Sequence, residues 1–192
     1  MKIKAVVFDN FITEAEAKFF RDYVKYAVPN PSNQVSLKTV NHTLDKDGNK
    51  LKEESSVNKV ERHYFSLRSP YSLHARVKKL AESEFNVKLK YRPDAYGHIM
   101  HYRKQCDGLH WHNEPGMAYV SASVNITPDH MYEGADFQIK NWDGRTPYKS
   151  LILYNSIMTH RVTELVYGEK MSFVMWLPKH DQKVNNVPWK ME

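Results

Sequence analysis

The chain has 192 residues, 41% of them hydrophobic and 12% aromatic, and a formal net charge of +6. That length suits one domain with a sizeable core, and the composition excludes a disordered chain. The single cysteine, Cys106, excludes an intramolecular disulfide and fits a reducing compartment; no apolar run approaches the roughly 20 residues of a membrane span, so a soluble, cytoplasmic protein is expected.

In chain order, residues 3–8 alternate weakly and predict a strand. Thr13 with Glu16 three positions on is a capping-box pattern, and Phe20, Tyr23, Val24 and Ala27 follow at helical spacing, so a helix is expected over about 14–28. Between Pro29 and Glu61 the pattern loosens. Leu44 to Asn49 has the composition of a hairpin turn, and the region 30–62 reads either as a substrate lid or as a surface hairpin. Ser69-Pro70 is a cap followed by a first-turn proline, opening a second helix whose buried side is Leu73, Val77, Leu80 and Ala81 and whose stop is Asn86. Residues 87–91 and 96–102 read as strands. The stretch 68–104 holds the excess of basic residues, which is either a nucleic-acid-facing surface or a solvated helix and strand face.

The second half is a succession of short strands and turns. Gln105-Cys106-Asp107-Gly108 is a turn in which Cys106 is a plain loop residue. Val120, Ala122, Val124 and Ile126 alternate with Ser121, Ser123 and Asn125, and Leu151 to Tyr154 is a short buried strand. From Lys170 to Leu177, Met171, Phe173, Met175 and Leu177 face away from Lys170 and Ser172. Regular short strands of this kind argue for a jelly-roll.

Chemistry concentrates between Tyr102 and Leu177. On a strand, residues two apart share a face, so His112 and Glu114 can grip one ion, with His160 arriving from another strand. Two imidazoles and one carboxylate suit a non-haem iron that keeps open positions. Spacing alone equally allows His110 and His112 as the pair, with His160 completing a three-histidine zinc set. Lys170 supplies a fixed positive charge of the kind a dicarboxylate co-substrate needs, and Ser172 on the same face can add a hydroxyl.

These residues resemble the Fe(II)/2-oxoglutarate-dependent dioxygenases, in particular the prolyl 4-hydroxylase-like branch. The resemblance lies in His112-x-Glu114, Gly134-Ala135-Asp136, His160, and the run from His160 to Lys170, together with an entry strand and helix at Val6 to Glu16. Glu114 stands where Asp is commoner, and Lys170 where this branch usually has Arg. The resemblance implies a mainly β fold with flanking helices, a double-stranded β-helix of the jelly-roll or cupin-like kind. It implies one domain over 1–192: support elements to 95, the β-helix over 96–178, and a tail over 179–192. It favours His112, Glu114 and His160 as iron ligands over the set containing His110, with Lys170, Tyr102 and Ser172 on 2-oxoglutarate and ascorbate as an optional further cofactor. The implied reaction is hydroxylation of a C–H bond, on a protein or peptide side chain such as prolyl. A nucleic-acid base is the alternative substrate, against which Trp176 stands where the alkylation-repair subgroup has a second arginine. A zinc-binding, non-enzymatic jelly-roll is the rival without catalysis.

Overall fold

A computed structural model describes residues 3–26, 60–65, 73–90, 97–103, 106, 108–114 and 118–182. Its elements are β1 (Ala5–Phe8), α1 (Glu14–Tyr26), β2 (Val60–Phe65), α2 (His74–Phe85), β3 (Gly97–Tyr102), β4 (Leu109–His112), β5 (Val120–Asn125), β6 (Tyr132–Gly134), β7 (Phe137–Ile139), β8 (Leu151–Asn155), β9 (His160–Val162), β10 (Leu165–Gly168) and β11 (Lys170–Leu177). Strands β1-β8-β5-β11-β3-β2 form one six-stranded sheet. A three-stranded sheet, β4-β9-β7, and a two-stranded one, β10-β6, complete the set. Every pairing is antiparallel.

The large sheet is buried on both faces because its strands alternate two kinds of side chain. On one face Val120, Val124, Leu151, Leu153, Phe173, Met175 and Leu177 pack against Phe20 and Val24 of α1 and Val77 and Ala81 of α2. Phe20 and Phe173 meet with ring centroids 5.4 Å apart. The other face looks toward the small sheets. There Met100 and Tyr102 pack with Ala135, Val162 and Leu165, and Ile152 and Tyr154 pack with Ile139. Two sheets enclosing an interior, with helices outside the larger one, make the double-stranded β-helix that the sequence led us to expect.

Local chemistry explains the ends of the helices. The Thr13 N–H donates to Glu16 Oε2 at 2.8 Å and the Glu16 N–H donates to Thr13 Oγ1 at 3.2 Å, the reciprocal capping box. Asn86 closes α2 in the left-handed region at φ 46°, which its short polar side chain tolerates.

The structure departs from the expectations, or adds to them, at three places. Of the strand expected at 87–91, the described residues 87–90 form none; Leu89 makes an isolated bridge to Lys179. Strand β2 was not anticipated, because its residues Val-Glu-Arg-His-Tyr-Phe show no apolar alternation; among the described residues it is the edge of the large sheet and pairs with β3 alone. Cys106 is the loop residue expected, and it is fully buried in the inter-sheet cluster. The hairpin expected at 44–49, most of the region 30–62 and the Ser69-Pro70 cap lie outside the described residues. Among the described residues no helix is long and apolar enough to cross a membrane.

Candidate metal centre

The centre is made where β4 meets β9. Leu109 pairs with Val162 and His112 pairs with His160, so three steps along β4 answer two along β9. That extra residue is a β-bulge, which breaks the alternation a regular strand would have. Leu109 therefore packs against the inter-sheet cluster and His112 reaches His160 while His110 is left exposed, and Arg161 lies 4.5 Å from the centre of the half-buried Trp111 ring. Gly108 makes the approach possible: it sits at φ 78°, and a Cβ there would collide with the Val162 carbonyl.

The ligand atoms of His112, Glu114 and His160 lie within 4.8 Å of one another, and among the described residues no other group of three metal-ligating side chains is so gathered. The imidazoles are 4.2 Å apart between ring centres. Each is oriented alike: Nδ1 of His112 donates to the His110 carbonyl at 2.6 Å, and Nδ1 of His160 to the Met158 carbonyl at 2.9 Å. A carbonyl can only accept, so both Nδ1 atoms carry a proton and Nε2 is the atom on each ring that can ligate a metal, the usual arrangement behind ligating histidines. Burial pushes the His160 pKa down to about 4, with His112 nearby acting in the same direction, so this imidazole is neutral near pH 7.

Glu114 follows β4 and is fastened twice. Its N–H donates to the Ser156 carbonyl at 2.8 Å. Its Oε2 accepts from Trp176 Nε1 at 2.6 Å and from Ser121 Oγ at 3.2 Å. The Tyr154 hydroxyl reaches His160 Nε2 at 3.3 Å, and because that nitrogen has no proton the phenol is the donor. Burial, then the charge of Glu114, raise the Tyr154 pKa well above its ordinary value, keeping it a neutral phenol.

Lys170 opens β11 on the same inward face as Ser172 and Trp176, directly across from Tyr102 on β3. It is 3% exposed, its Nζ donates to the Ala135 carbonyl at 2.6 Å, and it lies 5.0 Å from the centre of the Tyr132 ring. Burial lowers its pKa to about 8, partly opposed by the charges of Asp136 and Asp129. Tyr102 and Ser172 are buried beside it. The ammonium thus stands in the same inter-sheet interior as the triad but points at the β6–β7 connection. A cleft of about 960 Å³ reaches Lys170 and is lined by Phe137 and Ile139, neighbours of His160, but by no member of the triad itself. Phe137 in turn lies 5.6 Å from the His160 ring between centres, and Ile139 is paired with His160.

Three residues of the centre escaped the sequence reading. Tyr154 and Ser121 read there as members of strands, and Trp176 only as a departure from the alkylation-repair pattern; only the register that sets Ser121 opposite Trp176 and Tyr154 shows them converging. The polar alternation of Ser121, Ser123 and Asn125 was the available signal. Of the cations in the stretch 68–104, Arg76 pairs with Glu16 and Lys78 with Glu82, on the helical side of the large sheet, and neither lies at the triad.

No protein-family model and no curated protein sequence matches the chain. Solved structures do. A prolyl-4-hydroxylase from Pseudomonas putida superimposes with a TM-score of 0.64 at 10% identity, over 93% of this chain and 94% of that one. The viral collagen prolyl hydroxylase of Paramecium Bursaria Chlorella virus-1, in complex with 2-oxoglutarate, gives 0.62 at 11%, over 90% and 94%. HygX from Streptomyces hygroscopicus, with nickel and 2-oxoglutarate bound, gives 0.59 at 12%, over 93% and 84%. The chain has the fold of the 2-oxoglutarate oxygenases. In that double-stranded β-helix, the triad sits between the two sheets, where β4 and β9 meet.

Proposed function

We propose that the protein is an Fe(II)/2-oxoglutarate-dependent hydroxylase acting on a protein or peptide side chain such as prolyl. One observation carries the reading: two imidazoles, each with Nδ1 held by a backbone carbonyl and Nε2 left as the ligating atom, and one carboxylate converge within 4.8 Å inside an oxygenase fold. That donor set suits a metal with positions left open for other ligands. His112, Glu114 and His160 would hold the iron, and Lys170 would meet the outer carboxylate of 2-oxoglutarate, with Tyr102 and Ser172 beside it. When bound, iron and 2-oxoglutarate supply the oxidising chemistry that places an oxygen atom in a substrate C–H bond.

The chain's own share is to position and to exclude water. The two Nδ1–H bonds fix both imidazole tautomers before a metal arrives, so neither ring has to change tautomer to ligate it; at His160 the metal would take the place of the Tyr154 hydroxyl on Nε2. Lys170 is a buried ammonium bonded to a backbone carbonyl, and an anion entering by the cleft would add a direct counter-charge to the weaker influence of Asp136 and Asp129. A peptide substrate is supported by one structural neighbour, a prolyl hydroxylase from Trichoplax adhaerens in complex with a hypoxia inducible factor peptide fragment, at a TM-score of 0.61 and 12% identity. As the single cysteine, Cys106 can form no intramolecular disulfide, which suits the reducing cytoplasm as the place of work.

The test is anaerobic loading with Fe(II), then 2-oxoglutarate, air and a panel of proline-containing peptides. Succinate formation with a peptide mass gain of one oxygen atom is expected. One equivalent of zinc and no succinate would support the zinc-binding jelly-roll instead.

A further inference from the structure

We propose that Trp176, together with Ser121, holds Glu114 so that only one carboxylate oxygen, Oε1, faces the metal, making Trp176 a positioning residue of the centre. The inference rests on the metal reading above. Glutamate has one more methylene and one more torsion than aspartate, so its carboxylate can swing, and can chelate a metal through both oxygens or through one. Here the choice is made by the protein. Trp176 Nε1 and Ser121 Oγ both donate to Oε2, at 2.6 and 3.2 Å. Residues 176 and 121 are direct cross-strand partners on β11 and β5, so the two donors form a cradle built on sheet backbone rather than on a loop.

The cradle is itself supported. Ser121 Oγ shares a 2.9 Å hydrogen bond with Ser156 Oγ, and the Ser156 carbonyl takes the Glu114 N–H. The indole stands edge-to-face with the His98 ring, centroids 5.1 Å apart. An indole N–H can donate and cannot accept, so Trp176 is no rival ligand for the metal. A short bond from it to a carboxylate is of the charge-assisted kind, stronger than a neutral one. The cradle occupies one oxygen, which keeps Glu114 to a single coordination position and leaves room for a co-substrate.

The test uses full-length apo protein and Ni(II) alone, with affinity read by competition against a chromogenic chelator, and Co(II) absorption as a second readout. Trp176→Phe removes the donor and keeps the ring bulk. It should weaken Ni(II) binding by about ten- to a hundredfold, the usual cost of losing such an outer partner, with little change in the apo melting curve. Glu114→Asp, whose shorter arm loses the cradle, should weaken it similarly, and the double variant should be no worse than Trp176→Phe alone. Co(II) bound to Trp176→Phe should absorb more weakly, as the freed carboxylate chelates and the coordination number rises. Ser121→Ala, which carries less risk to folding, should lose affinity by a smaller factor in the same direction. Wild-type Ni(II) affinity in both Trp176→Phe and Ser121→Ala would overturn the proposal, as would fully additive losses in the double variant. If Glu114→Ala and His160→Ala also bind Ni(II) like wild type, the metal reading falls first and the cradle with it.

Discussion

His74 and His160 are both buried, and burial lowers the pKa of each to about 4. His74 opens α2 and sits edge-on to Phe173 at 5.5 Å, on the helical face of the large sheet. His160 lies across that sheet, on its inward side, with a second imidazole and a carboxylate in reach. Desolvation alone therefore does not mark a functional histidine. The sheet that separates them alternates apolar and polar residues, and it hands the apolar set to stability and the polar set to chemistry.

Substitutions on the two faces should separate these roles. The largest effect belongs to the inward face: His112→Ala or His160→Ala should abolish 2-oxoglutarate turnover to succinate while leaving a folded protein, and wild-type turnover in either would break the ligand assignment. On the helical face, Phe173→Ala should cost about 3–5 kcal/mol of stability, the usual penalty for emptying a buried aromatic site. Denaturant unfolding measures it, and below the transition the folded molecules should bind metal as wild type does. A Phe173 variant that loses the metal without losing stability would erase the distinction between the faces.

Lys170→Ala is expected to be milder, raising the half-saturating 2-oxoglutarate concentration by about ten- to a hundredfold, the value of one buried charge-assisted contact. Unchanged affinity would remove Lys170 from the site. The smallest effect is its pH dependence. With a pKa of about 8 in the free protein, Lys170 loses its proton above that pH, so the half-saturating concentration should climb toward tenfold per pH unit. Lys170→Arg should flatten the climb. For the apo protein the sign is opposite: the folded pKa lies below the ordinary 10.5, so the cost of burying the ammonium is carried in full below pH 8 and relieved between 8 and 10.5. Wild type should gain stability over that interval relative to Lys170→Met, by at most roughly 1.4 kcal/mol per pH unit.

The parts of the fold that follow from short-range rules were legible in the sequence. The Thr13–Glu16 box, the Asn86 stop, the alternation of β5 and β11 and the apolar run of β8 are written in neighbouring residues. Strand β2 was not, because a sheet edge need not alternate. The triad was legible only in part. Spacing left His110 and Glu114 as rivals, the family resemblance chose Glu114, and the β-bulge at Leu109–His112 supplies the physical reason, since it turns His110 out to solvent. The supports of the triad were not legible, because Ser121, Tyr154 and Trp176 are brought to Glu114 and His160 by register across the large sheet. The direction of the Lys170 ammonium, toward the Ala135 carbonyl, likewise depends on where the β6–β7 connection runs.

The most direct measurement is the metal stoichiometry of anaerobically titrated protein, with Co(II) as the probe, for wild type, His110→Ala, His112→Ala and His160→Ala. One equivalent in wild type and in His110→Ala, with none held by the other two, is the expected pattern. Loss of the metal in His110→Ala, or its retention in His112→Ala and His160→Ala, would contradict the centre described here.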